Sequence, residues 1–496
     1  MNRKNIYRTA LFFLTVCIFF FSGCADYYHG LSGHVKGDSS SDASITSFSF
    51  HPHENPGLDI EFSGKIIKTN DEIWIVVPPG WIDDIGLTLK PRFTTRGLAY
   101  VNGDLQDSGS SEQSFTDAVV YNVVSANGAN TKQYTVNILE KASRIYVDLL
   151  AEEGGDGSSW ENAFSSLHEA NEIASLFHEN MEKEIWITAG LYKPGGEDDK
   201  DAYFKMTANT SYIGGFSGTE SNINQRNPAN KTKVSGDLGN GQRSINLFAC
   251  FDGANRDITF NGFEFEQSNT AIKAFLASPS QLRIINCSFS NLNTAVFSYN
   301  ARSVIINDST IENINTSGSF GAVHVDGTRA AIADVNFNNI TGDALSIIAA
   351  DVSIENSNFN NITGTSSNNQ AIYINQKTQS GTININNVKI DTVTDGRGVY
   401  VSSHTSLITN SVIKNCNIDN DFGGGIHLVN SRKAEISFIE LENTSALTGG
   451  GIYYDGSAAS SSLLVKNVKI DGDTADQNHQ LMHLFGNNIV VNNIIP

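Results

Sequence analysis

A recurring pattern places one ring or hydroxyl side chain between two apolar residues, as in Ile372-Tyr-Ile374 and Val399-Tyr-Val401. Successive side chains of a β-strand point to opposite faces, so the flanking residues point inward and the middle one outward. If these segments stack, their middle residues form one outward column: His324, Ser346, Tyr373, Tyr400, His427, Tyr453 and His483. Amphipathic rings at regular spacing on a sheet suit stacking against sugar rings, which makes the column a candidate glycan-binding face.

A second outward column, two residues further along each strand, carries polar groups that can hydrogen-bond sugar hydroxyls: Asp326, Asn375, Ser402 and Asp455. The predicted ligand-binding residues are therefore His324, Asp326, Tyr373, Asn375, Tyr400, His427, Tyr453, Asp455 and His483. The alternative is purely structural, because stacked Tyr and His side chains stabilise a sheet by roughly 0.2–1 kcal/mol per pair without any ligand.

The two columns support a catalytic role less well than a binding role. A glycoside hydrolase needs two carboxyl groups roughly 5–9.5 Å apart, and Asp326 and Asp455 belong to coils far beyond that reach. His324 with Asp326, and Arg397 beside Tyr400, are the remaining candidates for acid–base chemistry. No catalytic residue, metal site or cofactor is predicted.

A repeat positions these columns. From about Ser244 onward, an apolar-x-x-apolar motif recurs after Asn- or Asp-rich turns: Phe289, Ile311, Phe337, Phe359, Ile390, Ile413, Leu441 and Ile470 each begin one copy. The spacing averages about 26 residues, within the range of solenoid repeats. Each coil is too small to bury its own apolar face, so successive coils must stack on one another.

The stack predicts the core and the turns. Phe289, Phe337 and Phe359 are expected in one internal column with Ile311, Ile390 and Ile413. Asn residues at corresponding turns are expected to form side-chain ladders that satisfy backbone groups: Asn286, Asn356, Asn387, Asn410 and Asn467.

Before the repeats, Ala163 to Phe177 has the apolar spacing of a helix, with Ser158 and Glu161 as a capping box. Gly157-Ser-Ser-Trp160, Ile185-Trp-Ile-Thr-Ala-Gly-Leu-Tyr192 and Gly214-Gly-Phe-Ser-Gly-Thr-Glu220 follow in order. This arrangement resembles the N-terminal cap and first coil of right-handed parallel β-helix proteins of the pectin-lyase-like superfamily. The resemblance implies an all-β fold and, for an enzyme, a polysaccharide lyase or glycoside hydrolase, although the catalytic motifs of polygalacturonases and pectate lyases have no counterpart on these coils.

A further β-rich segment precedes this region. Ile45–Phe50, Glu72–Val77, Val119–Val124 and Tyr134–Leu139 alternate with turn residues, which predicts a small antiparallel sandwich. The hairpin from Val119 to Val136 resembles the last hairpin of immunoglobulin-like or cadherin-like modules of bacterial surface proteins. Such modules are usually spacers.

The N-terminus predicts export. Arg3, Lys4 and Arg8 precede a short apolar run that ends at Phe21-Ser-Gly-Cys24, which resembles the lipobox of bacterial lipoproteins with Phe21 in the usual Leu position. The resemblance implies lipidation of Cys24 and, with Ala25 next, the outer membrane. A net charge of −20 without a basic cluster excludes nucleic acid as a partner. The irregularly spaced Cys250, Cys287 and Cys416 are expected to be buried thiols.

Together these patterns predict an all-β protein: a right-handed parallel β-helix solenoid with an N-terminal capping helix, preceded by an immunoglobulin-like β-sandwich. The expected divisions are a lipoprotein signal peptide (1–23), a flexible tether (24–43), the sandwich (44–141), the cap and first coils (142–243) and the repeats (244–496). The predicted function is a non-catalytic, lipid-anchored surface protein that binds glycan or host or matrix material; the alternative is a carbohydrate-active enzyme. A loop or another chain is expected to cover the apolar strand at Ile489–Pro496.

Overall fold

The computed structural model describes residues 40–68, 70–81, 87–253, 256–316, 320–365, 369–378, 380–456, 461–472, 474–475 and 482–495. The signal peptide, Cys24 and most of the tether lie outside these residues. The chain divides into two compact units, one reaching Ala142 and including Leu176–Glu179, the other formed by Ser143–Ser175 and Asn180–Pro496. No helix within the described residues is long and apolar enough to cross a membrane.

The first unit consists of β-sheets around an aromatic core in which the Phe48 ring lies 6.0 Å from Phe93 and 5.3 Å from Tyr121. Val119–Ser125 and Thr131–Glu140 form the antiparallel hairpin that the sequence predicts. Thr131–Glu140 also pairs in parallel with Glu72–Val77, so the sheet is mixed, whereas the sequence predicts an antiparallel one.

The strands of the first unit form three sheets. The largest contains, in spatial order, Lys65–Ile67, Glu72–Val77, Thr131–Glu140, Val119–Ser125, Gly97–Val101 and Asp104–Leu105. The others are Phe62–Ser63, Ile45–Phe50 and Arg92–Thr95, and the pair Thr88–Leu89 and Gln113–Ser114.

The second unit is a parallel β-solenoid whose strands repeat on three faces. The first face contains the predicted outward columns. Its strands are Phe204–Lys205, Gln242–Cys250, Ser268–Phe275, the starts of Thr294–Asn315 and Val323–Thr341, Leu345–Ala349, Asn369–Gln376, Gly396–Ser402, Ile426–Val429, Ile452–Gly456 and Met482–Gly486.

The second face begins with Arg144–Val147 and ends with Ile489–Ile495. Between them lie Lys183–Thr188, Thr210–Phe216, Asp257–Asn261, Gln281–Ile285, the middle parts of the two long strands, Asp351–Glu355, Ile383–Asn386, Thr405–Thr409 and the first parts of Lys433–Glu442 and Ser462–Asp471.

The third face contains Gly190–Tyr192, Thr232–Ser235, Phe263–Glu266, Ser288–Leu292, the ends of the long strands, Asn358–Thr363, Lys389–Thr394, Val412–Phe422 and the ends of Lys433–Glu442 and Ser462–Asp471. Asp237–Gly239, Ser445–Thr448 and Thr474–Ala475 are short additional strands.

One internal column follows the third face through eleven coils, which confirms the solenoid: Tyr192, Val234, Phe265, Phe289, Ile311, Phe337, Phe359, Ile390, Ile413, Leu441 and Ile470. The Phe337 and Phe359 rings stack at 4.6 Å. The six residues predicted for this column all lie in it, because an apolar residue at one place in every coil is the only way for short coils to share a core.

Residues in the left-handed conformation turn the chain at the corners of the solenoid, where they form lines from coil to coil. One line contains Asn286, Asp308, Asp334, Asn356, Asn387, Asn410, Phe438, Asn467 and Asn493, all with φ between 50° and 56°. Asn tolerates this conformation, which explains its abundance. The predicted ladder forms in part: the Asn387 amide donates to Asn356 Oδ1 at 2.8 Å, whereas Asn410 donates to Asn386.

Helix α1 (Leu167–Leu176) buries Leu167, Ala170, Asn171 and Ala174, and a 3₁₀ helix spans Ile223–Gln225. The predicted capping box at Ser158 is wrong: the helix begins later, and Ser166 Oγ accepts the His168 backbone N–H at 3.1 Å. The Tyr212 hydroxyl, on the second face, donates to Asn171 Oδ1 at 2.8 Å. The three thiols are buried, as predicted.

Candidate functional site

The strand register places the predicted ring residues in one line on the first face. Each is paired with the next along the solenoid, one residue from each coil: His324, Ser346, Tyr373, Tyr400, His427, Tyr453 and His483. Because the coils are separated by one strand spacing of about 4.8 Å, the side chains form a continuous row.

The neighbouring outward column is less polar than the sequence predicts. It contains Asp326, Ile348, Asn375, Ser402, Val429, Asp455 and Phe485. Asp326 forms an ion pair with Lys377. Five coil steps separate Asp326 from Asp455, which is roughly 24 Å at the usual strand spacing, so these two carboxylates cannot act on one glycosidic bond.

The lower part of the column is a stack of rings, here called the ring ladder: Tyr373, Tyr400, His427, Tyr453 and His483. Tyr373 and Tyr400 are 5.3 Å apart and nearly parallel, as are Tyr453 and His483 at 5.0 Å. Parallel stacking covers the facing sides of these two pairs, and between them His427 meets the Tyr400 and Tyr453 rings edge to face at 5.0 and 4.9 Å. The ladder therefore offers ring edges and hydroxyl groups to a ligand, rather than open faces on which a sugar ring could stack.

His324 and His427 lie in the outward column but are buried, with 3% and 6% of their surface exposed. Phe320 covers His324 at 4.5 Å, and Phe422 approaches His427 at 6.2 Å while stacking on Tyr453. Burial lowers the pKa of both imidazoles to about 4. Both side chains are thus neutral near pH 7, and they are less accessible than the sequence suggests.

Arg397 anchors the edge of the ring ladder. Its guanidinium, 3% exposed, pairs with Asp421, donates to Gln370 Oε1 at 3.2 Å and lies 5.5 Å from the centre of the Tyr400 ring. Asp421 Oδ1 in turn accepts the Phe422 backbone N–H at 2.8 Å. The ion pair therefore holds the segment that carries Phe422 against the ladder.

The same network continues to a half-buried carboxyl group. Asp343 accepts hydrogen bonds from the Gln370 backbone and side chain and from Asn369, at 2.8–3.2 Å. Burial raises the pKa of Asp343 in spite of these donors. His427 Nδ1 and Arg397 Nε are buried and have no hydrogen-bond partner among the described residues. The Arg397–Tyr400 pair predicted from sequence thus belongs to a larger network than the sequence indicates.

The structure extends the columns upward to residues that sequence reasoning missed. Lys273 and Phe297 continue the line of His324, and Phe275 and Tyr299 continue the line of Asp326. Phe251 directly follows Cys250, which pairs with Ala274, and its ring contacts Phe275. The sequence does indicate these positions, since Ile272-Lys-Ala-Phe275 and Val296-Phe-Ser-Tyr299 have the same alternation of inward and outward residues as the lower strands. The glycine that shortly precedes several of the lower strands is missing before these two segments.

These upper rings, Phe251, Phe275, Phe297 and Tyr299, form what we call the aromatic platform. Phe275 lies 6.0 Å from Phe251, 5.6 Å from Phe297 and 5.8 Å from Tyr299, with the rings tilted by 38–47° rather than parallel. Phe251 and Tyr299 are 50% and 47% exposed. Tilted, exposed rings leave part of their faces open to a ligand.

No group of three or more His, Cys, Asp or Glu side chains among the described residues is arranged to hold a metal ion. The fold and the columns define an all-β parallel solenoid with aromatic residues aligned on one face and interrupted at the coil of Ser346 and Ile348.

No family model and no curated protein matches the chain. Among solved structures, the chain is similar to a catalytic domain of a GH87 alpha-1,3-glucanase variant in complex with tetrasaccharides, at 12% identity and a TM-score of 0.32, over 91% of this chain and 86% of that one. The same kind of catalytic domain in complex with nigerose gives a TM-score of 0.28 at 12% identity, over 90% and 85%. Likeness at this level assigns no activity.

Proposed function

We propose that this chain is a non-catalytic, lipid-anchored surface protein that binds glycan, of the host, the matrix or another surface, through the first face of its solenoid. The observation that supports this most directly is the alignment of rings on that face, in the aromatic platform and, beyond the coil of Ser346 and Ile348, in the ring ladder. Aromatic side chains with an apolar body and a polar tip are suited to sugars, which present both C–H and hydroxyl surfaces.

The ladder and the second column supply hydrogen-bonding groups in this proposal. The half-buried tyrosines Tyr373, Tyr400 and Tyr453 direct their edges outward beside the exposed Asn375 and the half-buried Asp455. Burial raises the pKa of Tyr400 and Tyr453, so their hydroxyl groups stay protonated near neutral pH and can both donate and accept hydrogen bonds.

A glycan array probed with the purified protein tests the proposal, followed by affinity electrophoresis on any polymer that binds. Replacing Tyr373 and Tyr400 together by Phe removes the hydroxyl groups and keeps the stacked rings. We expect weaker retention with an unchanged melting temperature. A glycan array without any signal, or unchanged retention of the double variant, contradicts the role proposed for the ladder.

A carbohydrate-active enzyme is the second candidate, and it rests on Asp343. A half-buried carboxyl group with a raised pKa close to an arginine is a feature of catalytic acids. The non-catalytic function proposed above predicts that no reducing ends or unsaturated products are released from bound polymers. If product appears and Asp343→Asn abolishes it while binding is retained, the protein is an enzyme.

For the remaining parts of the chain, we propose that lipidation of Cys24 anchors the protein to a membrane, with the outer membrane as its location. Incorporation of labelled palmitate should be seen in the natural chain and lost in Cys24→Ala. We further propose that helix α1 caps the first coil, since Asn171 accepts a hydrogen bond from Tyr212 on the second face. The first unit serves as an immunoglobulin-like spacer.

A further inference from the structure

The aromatic platform contains one cation. Lys273 lies diagonally between two of its rings, with its ammonium 5.9 Å from the centre of Phe251 and 5.8 Å from that of Phe297. Both distances are at the outer limit of a cation–π contact. The rings therefore hold the ammonium weakly and leave most of its hydrogen-bonding capacity open.

Several lysines on the solenoid surface have acidic partners: Lys377 pairs with Asp326, Lys233 with Glu266 and Lys469 with Glu440. Lys273 forms no ion pair with an acidic side chain in the part of the chain that the structure describes. Its ammonium therefore lies beside the platform rings without a carboxylate that would compete with an anionic ligand.

A second lysine shares the column. The exposed Lys205 pairs with Ala249, which in turn pairs with Lys273, so two coil steps separate the two lysines. That separation is roughly 10 Å at the usual strand spacing, about the length of two sugar units in an extended chain. Two cations at this interval match negative charges that recur along a polymer.

We propose that the aromatic platform binds a polymer of uronic acids, and this rests on the glycan-binding function proposed above. One sugar ring lies on the open faces of Phe275 and Tyr299, and its carboxylate accepts a hydrogen bond from the Lys273 ammonium. The carboxylate two sugar units further along the polymer reaches Lys205. A carboxylate carried directly on the sugar ring suits this site, because the ammonium lies within 6 Å of the Phe251 and Phe297 ring centres and so close to a sugar packed on the platform.

The charge of the protein makes such a site selective. An acidic polymer is repelled by most of a surface with net charge −20, so it can bind only where aromatic contact and a local cation act together. A neutral polymer would contact the rings alone, and its affinity would not depend on Lys273.

Affinity electrophoresis in gels containing alginate, or alginate whose carboxyl groups have been reduced to alcohols, tests the proposal. The two polymers share their sugar backbone and differ in charge. We expect stronger retardation by alginate, and a loss of about tenfold in alginate affinity for Lys273→Met, the size of one charge-assisted hydrogen bond. Binding to the reduced polymer should not change.

Lys466→Met is the matched control, because Lys466 lies 5.7 Å from the centre of the Phe438 ring outside the first face. It removes the same charge from the same kind of contact, and its alginate affinity should stay within about twofold of the natural chain. An equal loss in both variants overturns the proposal, since net charge would then account for the effect.

Two further outcomes separate this inference from the function on which it rests. Equal retardation by both polymers, with no effect of Lys273→Met, overturns the uronic acid proposal and leaves glycan binding in place. Retardation by neither polymer, together with a glycan array without signal, overturns both.

Discussion

The aromatic platform and the ring ladder lie on the same face of one solenoid, yet their rings pack differently. In the ladder, consecutive rings occupy a single column, and Tyr373 and Tyr400 stack in parallel at 5.3 Å. In the platform three rings follow one column, Phe297 lies in the other, and neighbouring rings are tilted, so that Phe251 and Tyr299 remain about half exposed. The same backbone register thus produces a stabilising stack in one region and an open surface in the other.

The supporting charges differ in the same way. Arg397 is buried beside the ladder, where it pairs with Asp421 and contacts Tyr400. Lys273 is half-buried in the platform and pairs with no acidic side chain of the described residues. A buried, paired cation contributes to the fold, whereas a cation without a partner beside exposed rings is available to a ligand.

The largest effect on stability is expected from Arg397→Met. The change leaves Asp421 without its partner and removes the support of the Phe422 segment. Because breaking a buried ion pair costs about 3 kcal/mol or more, we expect a loss of about 3 kcal/mol in the free energy of unfolding. Urea unfolding followed by circular dichroism measures it. Lys273→Met, the equivalent change in the platform, should cost less than about 0.5 kcal/mol; equal losses would remove the distinction between the two regions.

Ring removal gives the next largest effect. Tyr373→Ala removes one ring from the stack, and we expect a loss of about 2 kcal/mol, since the side chain is half-buried and packed against Tyr400. Tyr299→Ala removes a ring that is 47% exposed and should cost less than about 1 kcal/mol. Melting curves of the two variants, with Tyr373→Phe as a control that keeps the ring, make the comparison. A more destabilised Tyr299→Ala would contradict the packing argument.

The ladder could be predicted more completely than the platform, for a physical reason. Period-two alternation after a glycine marks Tyr373, Tyr400 and Tyr453, and the register confirms their alignment. The platform has the alternation without the glycine. Interior positions were the easiest to predict, because the shared core demands an apolar residue in every coil.

The positions of the turn residues could not be predicted from the sequence. Phe320 and Phe422 cover His324 and His427 from segments that interrupt the repeat, and their position depends on the lengths of those turns. The same holds for the start of helix α1, where Ser166 accepts the backbone N–H and Ser158 does not. A serine near an apolar periodicity predicts a helix start, but the fold decides which serine serves.

The covered histidines predict a pH dependence of stability. Burial lowers the pKa of His324 and His427 to about 4 from an ordinary 6.5. Since the unfolded chain binds protons more readily, these groups reduce the free energy of unfolding as the pH falls from about 6.5 towards 4. Each should account for a loss of about 3 kcal/mol, since one pKa unit corresponds to about 1.4 kcal/mol. His427→Gln in the ladder, and His324→Gln next to the platform, should each make the free energy of unfolding less dependent on pH between these values. A variant whose stability still falls as steeply as that of the natural chain would show that the replaced histidine does not cause the pH dependence.

Phe438 provides the smallest expected effect and the sharpest test of what makes an exposed ring a binding surface. It interrupts a line of turn residues that is otherwise Asn or Asp over the neighbouring coils, with φ 56° and 54% exposure. An aromatic residue is strained in the left-handed region, whereas Asn tolerates it. Phe438→Asn should therefore raise the free energy of unfolding by about 1 kcal/mol, as measured by urea unfolding. Because Phe438 has no aromatic neighbour among the described residues comparable to those of Phe275, glycan retention should not change. If retention falls, exposed rings outside the first face also bind, and the contrast between platform and ladder no longer explains where the ligand lies.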